Sequence, residues 1–287
     1  MKQLIYSAVI LAALLCGACD KKDSNDQTPG TPATPGGQAI TFTTRIEAME
    51  EAQTDDSGNE TFNPGDTFTL YAHDNAEGAQ SMDYTIGATK LNWSDLAFAA
   101  EGGKVHFEAC YPKHELSDGG FDFTVTQDAA GDLLWASAPD VEVGSEQPVA
   151  LTFRHAMHRL VVKYTVEDPS VEASTIETNC TAYTSCRVDL AGQRLIQTGT
   201  KGSVSATGEQ VQFLVLPQLT DEVTLEIRAG ETSKSWKLSE TDFAYPELEG
   251  GKQVTVHLKI KAGEITLSGL TIEGWGDQGT IEDEIEM

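Results

Sequence analysis

The residues with the clearest chemical potential in this sequence are two histidines three positions apart, His155 and His158. Histidines are common metal ligands, but residues three apart on a strand point to opposite faces of a sheet. We therefore interpret His155 as a sandwich residue and predict no metal site here. His114 is followed by Glu115 but lacks the second histidine of a zinc-protease motif.

A group of oxygen-bearing residues, Asp55, Ser57 and Asn59, imitates the start of a calcium loop. Glu60 occupies the position where the sharp turn of such a loop requires glycine. The sequence also lacks a nucleophile elbow, a phosphate-binding loop and a dinucleotide fingerprint. We predict that the protein is not an enzyme and has no catalytic residue, metal or cofactor, although Ser, His and Asp could still meet in space.

The cysteine with the most distinctive setting is Cys19. Leu4–Leu15 is an apolar run too short to cross a bilayer comfortably, and Gly17 and Ala18 precede the cysteine. This pattern resembles a bacterial lipobox, in which a peptidase cuts before the cysteine and its sulfur receives diacylglycerol. We predict a signal peptide over residues 1–18 and lipidation at Cys19. An ordinary secreted protein with a buried Cys19 is the alternative.

Three further cysteines follow, namely Cys110, Cys180 and Cys186. An exported chain meets an oxidising compartment, where disulfides form. Cys180 and Cys186 are separated by five residues and could close a short loop or a hairpin through a disulfide. The alternative is that all three are small apolar residues of the core.

The composition favours a folded β protein. The chain has 287 residues with 45 acidic and 19 basic side chains, for a formal charge of −26. This charge disfavours nucleic acid as a partner, because phosphate binding requires a basic surface. Hydrophobic residues make up 39% of the chain, which is enough for a core. Residues 19–38 are rich in proline, glycine and polar residues, and we predict a flexible tether there.

The rest of the chain reads as short strands separated by turns. Apolar and polar residues alternate most clearly in Arg159–Glu167 and Val254–Lys261, and Lys104–Tyr111 is a further strand. Strands with one apolar face are typical of antiparallel sandwiches. We predict an all-β fold with two antiparallel β-sandwich domains, over residues 39–150 and 151–287.

Several stretches resemble the fimbrillin family, the pilin-like lipoproteins of type V pili in Gram-negative anaerobes. They follow the order that the family shows and span nearly the whole chain after the tether. The stretches are Asn63-Pro64-Gly65-Asp66 before Leu70-Tyr71, Phe107-Glu108-Ala109-Cys110-Tyr111-Pro112, Asp132-Leu133-Leu134-Trp135-Ala136, Leu151 to Leu160, Leu216-Pro217-Gln218, Gly250-Gly251-Lys252, and Ile272-Glu273-Gly274-Trp275.

This resemblance implies a fold and a function. The implied fold is two β-sandwich domains of transthyretin-like Greek-key topology. The implied function is that of a pilus subunit or accessory component at the outer membrane and cell surface. It would assemble with other pilus subunits by β-strand complementation and support adhesion to a host protein or glycan.

The resemblance also implies a processing site. In the family an arginine-specific protease cuts in the loop after the first strand, and loss of that strand leaves an apolar groove. Here Arg45 is the only arginine between Cys19 and Arg154, and it follows the Ile40–Thr43 strand directly. We therefore expect proteolytic processing at Arg45. A surface arginine that no protease cuts is the alternative.

The C-terminal tail could supply the strand that fills such a groove. Ile281, Ile285 and Met287 fall on one face with Asp283, and the other face is polar. An incoming strand of this kind satisfies both unpaired backbone and apolar surface. We predict Ile281, Ile285 and Met287 as donor-strand residues, with a disordered acidic end as the alternative.

The alternative function is that of a surface glycan-binding lipoprotein outside any pilus. Its candidates for sugar stacking are Trp93, Trp135, Trp236 and Trp275. Aromatic residues on sandwich strands are more often core residues, so we expect these side chains in the core.

Overall fold

Most of this chain forms strands because its apolar residues recur at every second position. The computed structural model describes residues 37–47, 62–74, 76–240 and 246–274. In these residues the fold is all-β, as predicted, and contains no α-helix.

The strands of the first half are β1 (Ala39–Ile40), β2 (Phe42–Ile46), β3 (Thr67–His73), β4 (Ala79–Thr85), β5 (Leu91–Asn92), β6 (Lys104–Tyr111), β7 (Gly120–Thr124), β8 (Leu134–Glu142) and β9 (Val149–His155). Those of the second half are β10 (His158–Val166), β11 (Glu177–Asp189), β12 (Arg194–Thr207), β13 (Gln210–Val215), β14 (Gln218–Leu219), β15 (Thr224–Ala229), β16 (Thr232–Lys237), β17 (Glu247–Leu248), β18 (Lys252–Lys261) and β19 (Glu264–Gly274). Short 3-10 helices cover Trp93–Asp95, Ala129–Gly131, Ala173–Thr175, Thr220–Glu222 and Leu238–Glu240.

The N-terminal sheet has six strands in the order β2-β9-β8-β6-β3-β4. Its inner face carries Phe68 on β3, Phe107 on β6 and Phe153 on β9, all fully buried. The two-stranded ribbon of β1 and β5 packs on this face together with the buried Trp93. We call the side chains enclosed in this way the N-terminal core.

The C-terminal sandwich has two sheets. One is four-stranded, in the order β13-β10-β18-β19, and the other follows the order β12-β11-β15-β16 with β7 added beside β11. Their facing side chains form a second core, to which Leu160, Phe213 and Val256 contribute from the first sheet and Leu225 and Ile227 from the other. This arrangement agrees with the sandwich predicted for the second half.

A third cluster of buried side chains joins the two halves. It contains Phe121 and Phe123 from β7, Val188 from β11 and Leu216 after β13. β7 lies in the first half of the sequence, yet it pairs antiparallel with β11. The described residues accordingly belong to one compact unit.

The expected domain boundary between residues 150 and 151 falls inside β9. β9 pairs with β8 and β2, so it lies wholly in the N-terminal sheet. The boundary was therefore misplaced, because the alternating pattern of β9 continues past residue 151. The chain passes from the N-terminal sheet to the C-terminal sandwich at Ala156 and Met157, between β9 and β10.

Two strand pairs depart from the antiparallel pattern. β2 runs parallel to β9, and β10 runs parallel to β18. The other pairs among the described strands are antiparallel, as the alternation predicted.

The predicted disulfide between Cys180 and Cys186 is wrong. Both thiols are free and buried, as is that of Cys110. Cys180 and Cys186 lie on the single long strand β11, six residues apart. A strand rises about 3.3 Å per residue, so their Cα atoms are separated by roughly 20 Å, far beyond the reach of a disulfide. Burial raises the pKa of each thiol to about 12.

Several predictions concern residues outside the described ranges. These are the signal peptide over residues 1–18, lipidation at Cys19, nearly all of the tether, the calcium-like loop from Asp55 to Asn59, and the donor-strand residues Ile281, Ile285 and Met287. Within the described ranges, no helix has the length and apolarity needed to span a membrane.

Candidate functional site

The first edge strand, β2, is the element that could expose a binding groove if it were removed. β2 lies at one end of the N-terminal sheet and pairs with β9 alone, in parallel. Two backbone hydrogen bonds bracket it: the Val149 N–H donates to the Thr41 carbonyl, and the Glu47 N–H donates to the Phe153 carbonyl, both at 2.7 Å. The outer edge of β2 therefore has no partner strand among the described residues.

Phe42 anchors β2 in the N-terminal core. Its ring lies 5.3 Å from Phe107 and 5.1 Å from Tyr84, both in edge-to-face geometry. Tyr84 belongs to β4, the strand at the opposite end of the sheet, so the sheet must curl to bring its two edges together. Edge-to-face aromatic pairs add about 0.5–1.5 kcal/mol each to the burial of the rings. Removing β2 would consequently open the aromatic core to solvent.

The preceding strand, β1, covers the same part of the N-terminal core. Ile40 on β1 is 5% exposed, and β1 pairs antiparallel with β5. The Trp93 N–H donates to the Gln38 carbonyl at 3.0 Å, and the Gln38 amide donates to the Gly144 carbonyl at 2.6 Å. Residues 38–46 thus cover the N-terminal core as one continuous segment, and cutting after residue 45 would free all of it except Ile46.

Arg45 lies within β2 itself, in register with Thr152 of β9. Its side chain is exposed, and its Nε donates to the Thr152 hydroxyl at 2.9 Å. The expectation that Arg45 lies in a loop after the strand is therefore wrong, because the strand continues to Ile46. A protease must bind its substrate as an extended, unpaired chain, so cutting at Arg45 requires β2 to separate from β9 first.

The two histidines three positions apart serve separate structural roles. His155 ends β9 and pairs with Asp132, its Nδ1 lying 2.9 Å from a carboxylate oxygen. His158 begins β10, and its Nδ1–H donates to the Glu249 carbonyl at 2.8 Å. Burial lowers the pKa of His158 to about 4, while the hydrogen bond to Glu249 acts in the opposite direction. No group of three His, Cys, Asp or Glu side chains in the described residues is placed to hold a metal ion.

The three tryptophans among the described residues do not form an exposed platform. Trp93 is fully buried, and Trp135 and Trp236 are half-buried against core clusters. Trp275 lies outside the described residues.

The residue that the sequence reasoning missed is Phe42, the anchor of β2. The signal was present, since Phe42 is the only aromatic side chain in the short run that precedes Arg45. Its partners Tyr84 and Phe107 are distant in sequence, and only the curl of the sheet brings them to it.

The comparisons with known proteins agree with this fold. The family described as fimbrillin-like matches residues 51–275 of the chain. A candidate cell adhesion protein of Bacteroides uniformis is 15% identical, with a TM-score of 0.62 over 83% of this chain and 99% of that one. A candidate cell adhesion protein of Bacteroides ovatus is 14% identical, with a TM-score of 0.57 over 86% and 99%. No curated protein matches the chain significantly.

Proposed function

Because this chain belongs to the fimbrillin-like family, we propose that it is a cell-surface pilus subunit or accessory component that assembles by β-strand complementation and supports adhesion. Other pilus subunits are its partners in this proposal. Its role is structural rather than catalytic. The first edge strand is the observation that carries the proposal, because it is short, paired on one side only, and inserts Phe42 into an aromatic core.

The surface of the described residues supports a mechanism in which the binding site becomes exposed only when β2 is lost. Its only exposed large hydrophobic residues are Ile196 and Leu219, each about half exposed. Isolated apolar residues of this kind do not make a docking patch. A groove left by β2 would expose Phe107 and Tyr84 together with the free backbone edge of β9, and an incoming strand could satisfy both.

Three finer points complete the proposal. Processing at Arg45 releases residues 38–45 together with everything before them. The tail supplies the replacing strand through Ile281, Ile285 and Met287. Lipid on Cys19 anchors the unprocessed chain in the outer membrane, and removal of that lipid in the variant Cys19→Ala should release the chain from the membrane fraction.

The decisive experiment treats the purified chain with an arginine-specific protease and follows its N-terminal sequence and its molecular mass. We expect a new N-terminus at Ile46 and the appearance of oligomers. Arg45→Gln should abolish both. Arg154→Gln is the matched control, because Arg154 is also an exposed arginine, on the neighbouring strand β9, and its loss should change neither.

Deleting Gly279–Met287 distinguishes the two steps of the mechanism, processing at Arg45 and strand donation by the tail. The truncated chain should still be cut at Arg45 but should not form oligomers, because it lacks the donor strand. Oligomers formed equally well by the Arg45→Gln chain would overturn processing at Arg45, and normal assembly of the truncated chain would remove the tail as donor.

A further inference from the structure

A cluster of three ionisable side chains lies on the outer face of the N-terminal sheet, away from the aromatic core. His106 and Glu108 are two residues apart on β6 and share this face, and His73 of β3 is directly opposite His106 in the strand register. The imidazole rings of His73 and His106 are stacked, with centroids 5.1 Å apart. His73 Nε2 lies 3.8 Å from Glu108 Oε1.

Three polar atoms of this cluster are buried without a hydrogen-bond partner. They are the Nε2 atoms of His73 and His106 and the Oε2 atom of Glu108. Glu108 is 4% exposed, so its carboxyl group is almost completely removed from water. A buried polar atom without a partner is costly, and three such atoms in one place call for a common explanation.

The other nitrogen of each imidazole fixes what its Nε2 can do. His73 Nδ1 lies 3.2 Å from the Asp74 carbonyl, which can only accept, so this nitrogen carries hydrogen and Nε2 is an acceptor. His106 Nδ1 accepts the Asp140 N–H at 3.4 Å, so its Nε2 carries hydrogen and is a donor. His73 thus presents an acceptor to the carboxyl group of Glu108, while His106 stacks on His73 with its own donor unsatisfied.

A carboxyl group that carries one proton matches this acceptor, because its O–H can point toward His73 Nε2, 3.8 Å away. An ionised carboxylate has no hydrogen to offer and leaves the acceptor on His73 unsatisfied. We infer that Glu108 and His73 share one proton, and that this proton makes the stability of the N-terminal sheet depend on pH.

The titration of Glu108 agrees with the geometry. Burial raises the pKa of Glu108 to about 7, and a hydrogen bond to Ser137 acts in the opposite direction. The folded chain then holds this proton between pH 4.5 and 7, where the unfolded chain does not. The contribution of Glu108 to stability is therefore largest in acid and decreases as the pH rises through 7.

Besides Ser137, which hydrogen-bonds Glu108, the surroundings of the cluster supply other charged and titratable groups. On β3 and the turn after it, these groups are Tyr71, whose ring stacks on His73, and Asp74. At the ends of β6 and β8, Lys104 and Asp140 form an ion pair of 3.3 Å. The Lys113–Asp83 ion pair also lies nearby, as does Asp189, whose negative charge helps to raise the pKa of Tyr71. The side chains in both ion pairs are more than half exposed. They are screened by water, so they act only weakly on the buried carboxyl.

The test compares thermal midpoints of the native chain and Glu108→Gln between pH 5.5 and 8.5. Glutamine is neutral and offers both a donor and an acceptor, so it imitates the protonated carboxyl at every pH. We expect the variant's advantage over the native chain to grow with pH, so that the gap between the two midpoints is roughly 5 °C wider at pH 8.5 than at pH 5.5. Glu142→Gln, an exposed glutamate of β8, is the matched control and should show a gap that does not change with pH.

Two outcomes would overturn the proposal. A gap between the native chain and Glu108→Gln that stays constant from pH 5.5 to 8.5 excludes a shared proton. A rise in midpoint on adding Zn²⁺ that His73→Phe and His106→Phe each abolish assigns the cluster to metal binding instead. If Glu108→Gln does not fold, infrared spectroscopy of the native chain decides, because one protonated carboxyl must absorb at pH 6 and disappear at pH 9.

Discussion

The edge strands β2 and β19, near the two ends of the described chain, are held very differently. β2 has five residues and runs parallel to β9, whereas β19 has eleven and runs antiparallel to β18. Parallel pairing is slightly less stable per residue. β2 places only half-buried side chains in its core, while β19 contributes Ile265, which is 1% exposed.

This difference indicates which edge strand could be replaced by a strand from another chain. Removing β2 breaks a short ladder of backbone hydrogen bonds and opens a core that another strand could fill. Removing β19 would take a fully buried residue and a long antiparallel ladder from the C-terminal sandwich. In the proposed assembly the N-terminal sheet is therefore the acceptor end of the molecule, and the C-terminal sandwich is its permanent body.

The largest effect should come from breaking β19. Ile265→Ala removes a fully buried side chain and should lower the free energy of unfolding by about 3 kcal/mol, in the range for buried isoleucine to alanine. Chemical denaturation measures this loss. Thr266→Ala, a neighbour on the opposite face of β19, is the control and should cost far less. A loss below about 1 kcal/mol for Ile265→Ala would mean that β19 is not part of the permanent body.

A somewhat smaller effect is expected at the anchor of β2. Phe42→Ala removes two aromatic contacts and should cost about 2 kcal/mol, since the ring is only half-buried. The loss should be local, so the amide of Val149, which donates to Thr41, should exchange with solvent faster while amides of β18 do not change. Thr43→Ala, exposed on the same strand, should leave exchange as it was. Equal acceleration in β18 would contradict the separation of the two edges.

Acid should act on the permanent body through His158. Its pKa is lowered from 6.5 to about 4 in the folded chain, so the unfolded chain binds the proton first as pH falls. Stability is full above pH 6.5 and decreases from there toward pH 4. Between pH 7 and pH 5 the loss should be about 2 kcal/mol, from the linkage of 1.36 kcal/mol per pH unit.

Denaturation at the two pH values measures this loss. His158→Gln cannot take up the proton, so the part of the loss that belongs to His158 should vanish, whatever the variant's stability at pH 7. An unchanged loss in His158→Gln would show that other groups control the response to acid. Glu108 works in the opposite direction over part of this range, which is why the difference between the variant and the native chain is the quantity to compare.

The elements that were predictable from the sequence are those with one buried face. Lys104–Tyr111 was predicted as a strand with the bounds of β6, and the alternation of Val254 to Lys261 lies within β18. β12 was not predicted, because most of its side chains are exposed on both faces and leave no period. The pairing of β7 with β11 was equally hidden, since no local pattern records which distant strand completes a sheet.

The candidate site shows the same limit. Arg45 was identified by its type and position, but whether it lies in a loop or a strand depends on β9, more than a hundred residues away. Glu108 could be seen as a polar residue in an alternating strand, yet its partner His73 lies on another strand. Sequence patterns indicate which face a residue occupies, and only the assembled sheet shows what stands beside it.

The smallest effect on stability should occur at Arg45, where the proposed processing predicts the largest effect on assembly. Its side chain is exposed and makes one hydrogen bond to the Thr152 hydroxyl, so Arg45→Gln should change the free energy of unfolding by less than about 0.5 kcal/mol. The same variant should no longer be cut by an arginine-specific protease. In Phe42→Ala, by contrast, cutting at Arg45 should become faster, because β2 separates from β9 more often. Thr152→Ala removes the hydrogen bond but keeps the arginine, so it should be cut at close to the native rate. If Thr152→Ala is cut many times faster, the hydrogen bond itself keeps β2 paired with β9. Arg45 and Phe42 then both hold this edge strand in the sheet.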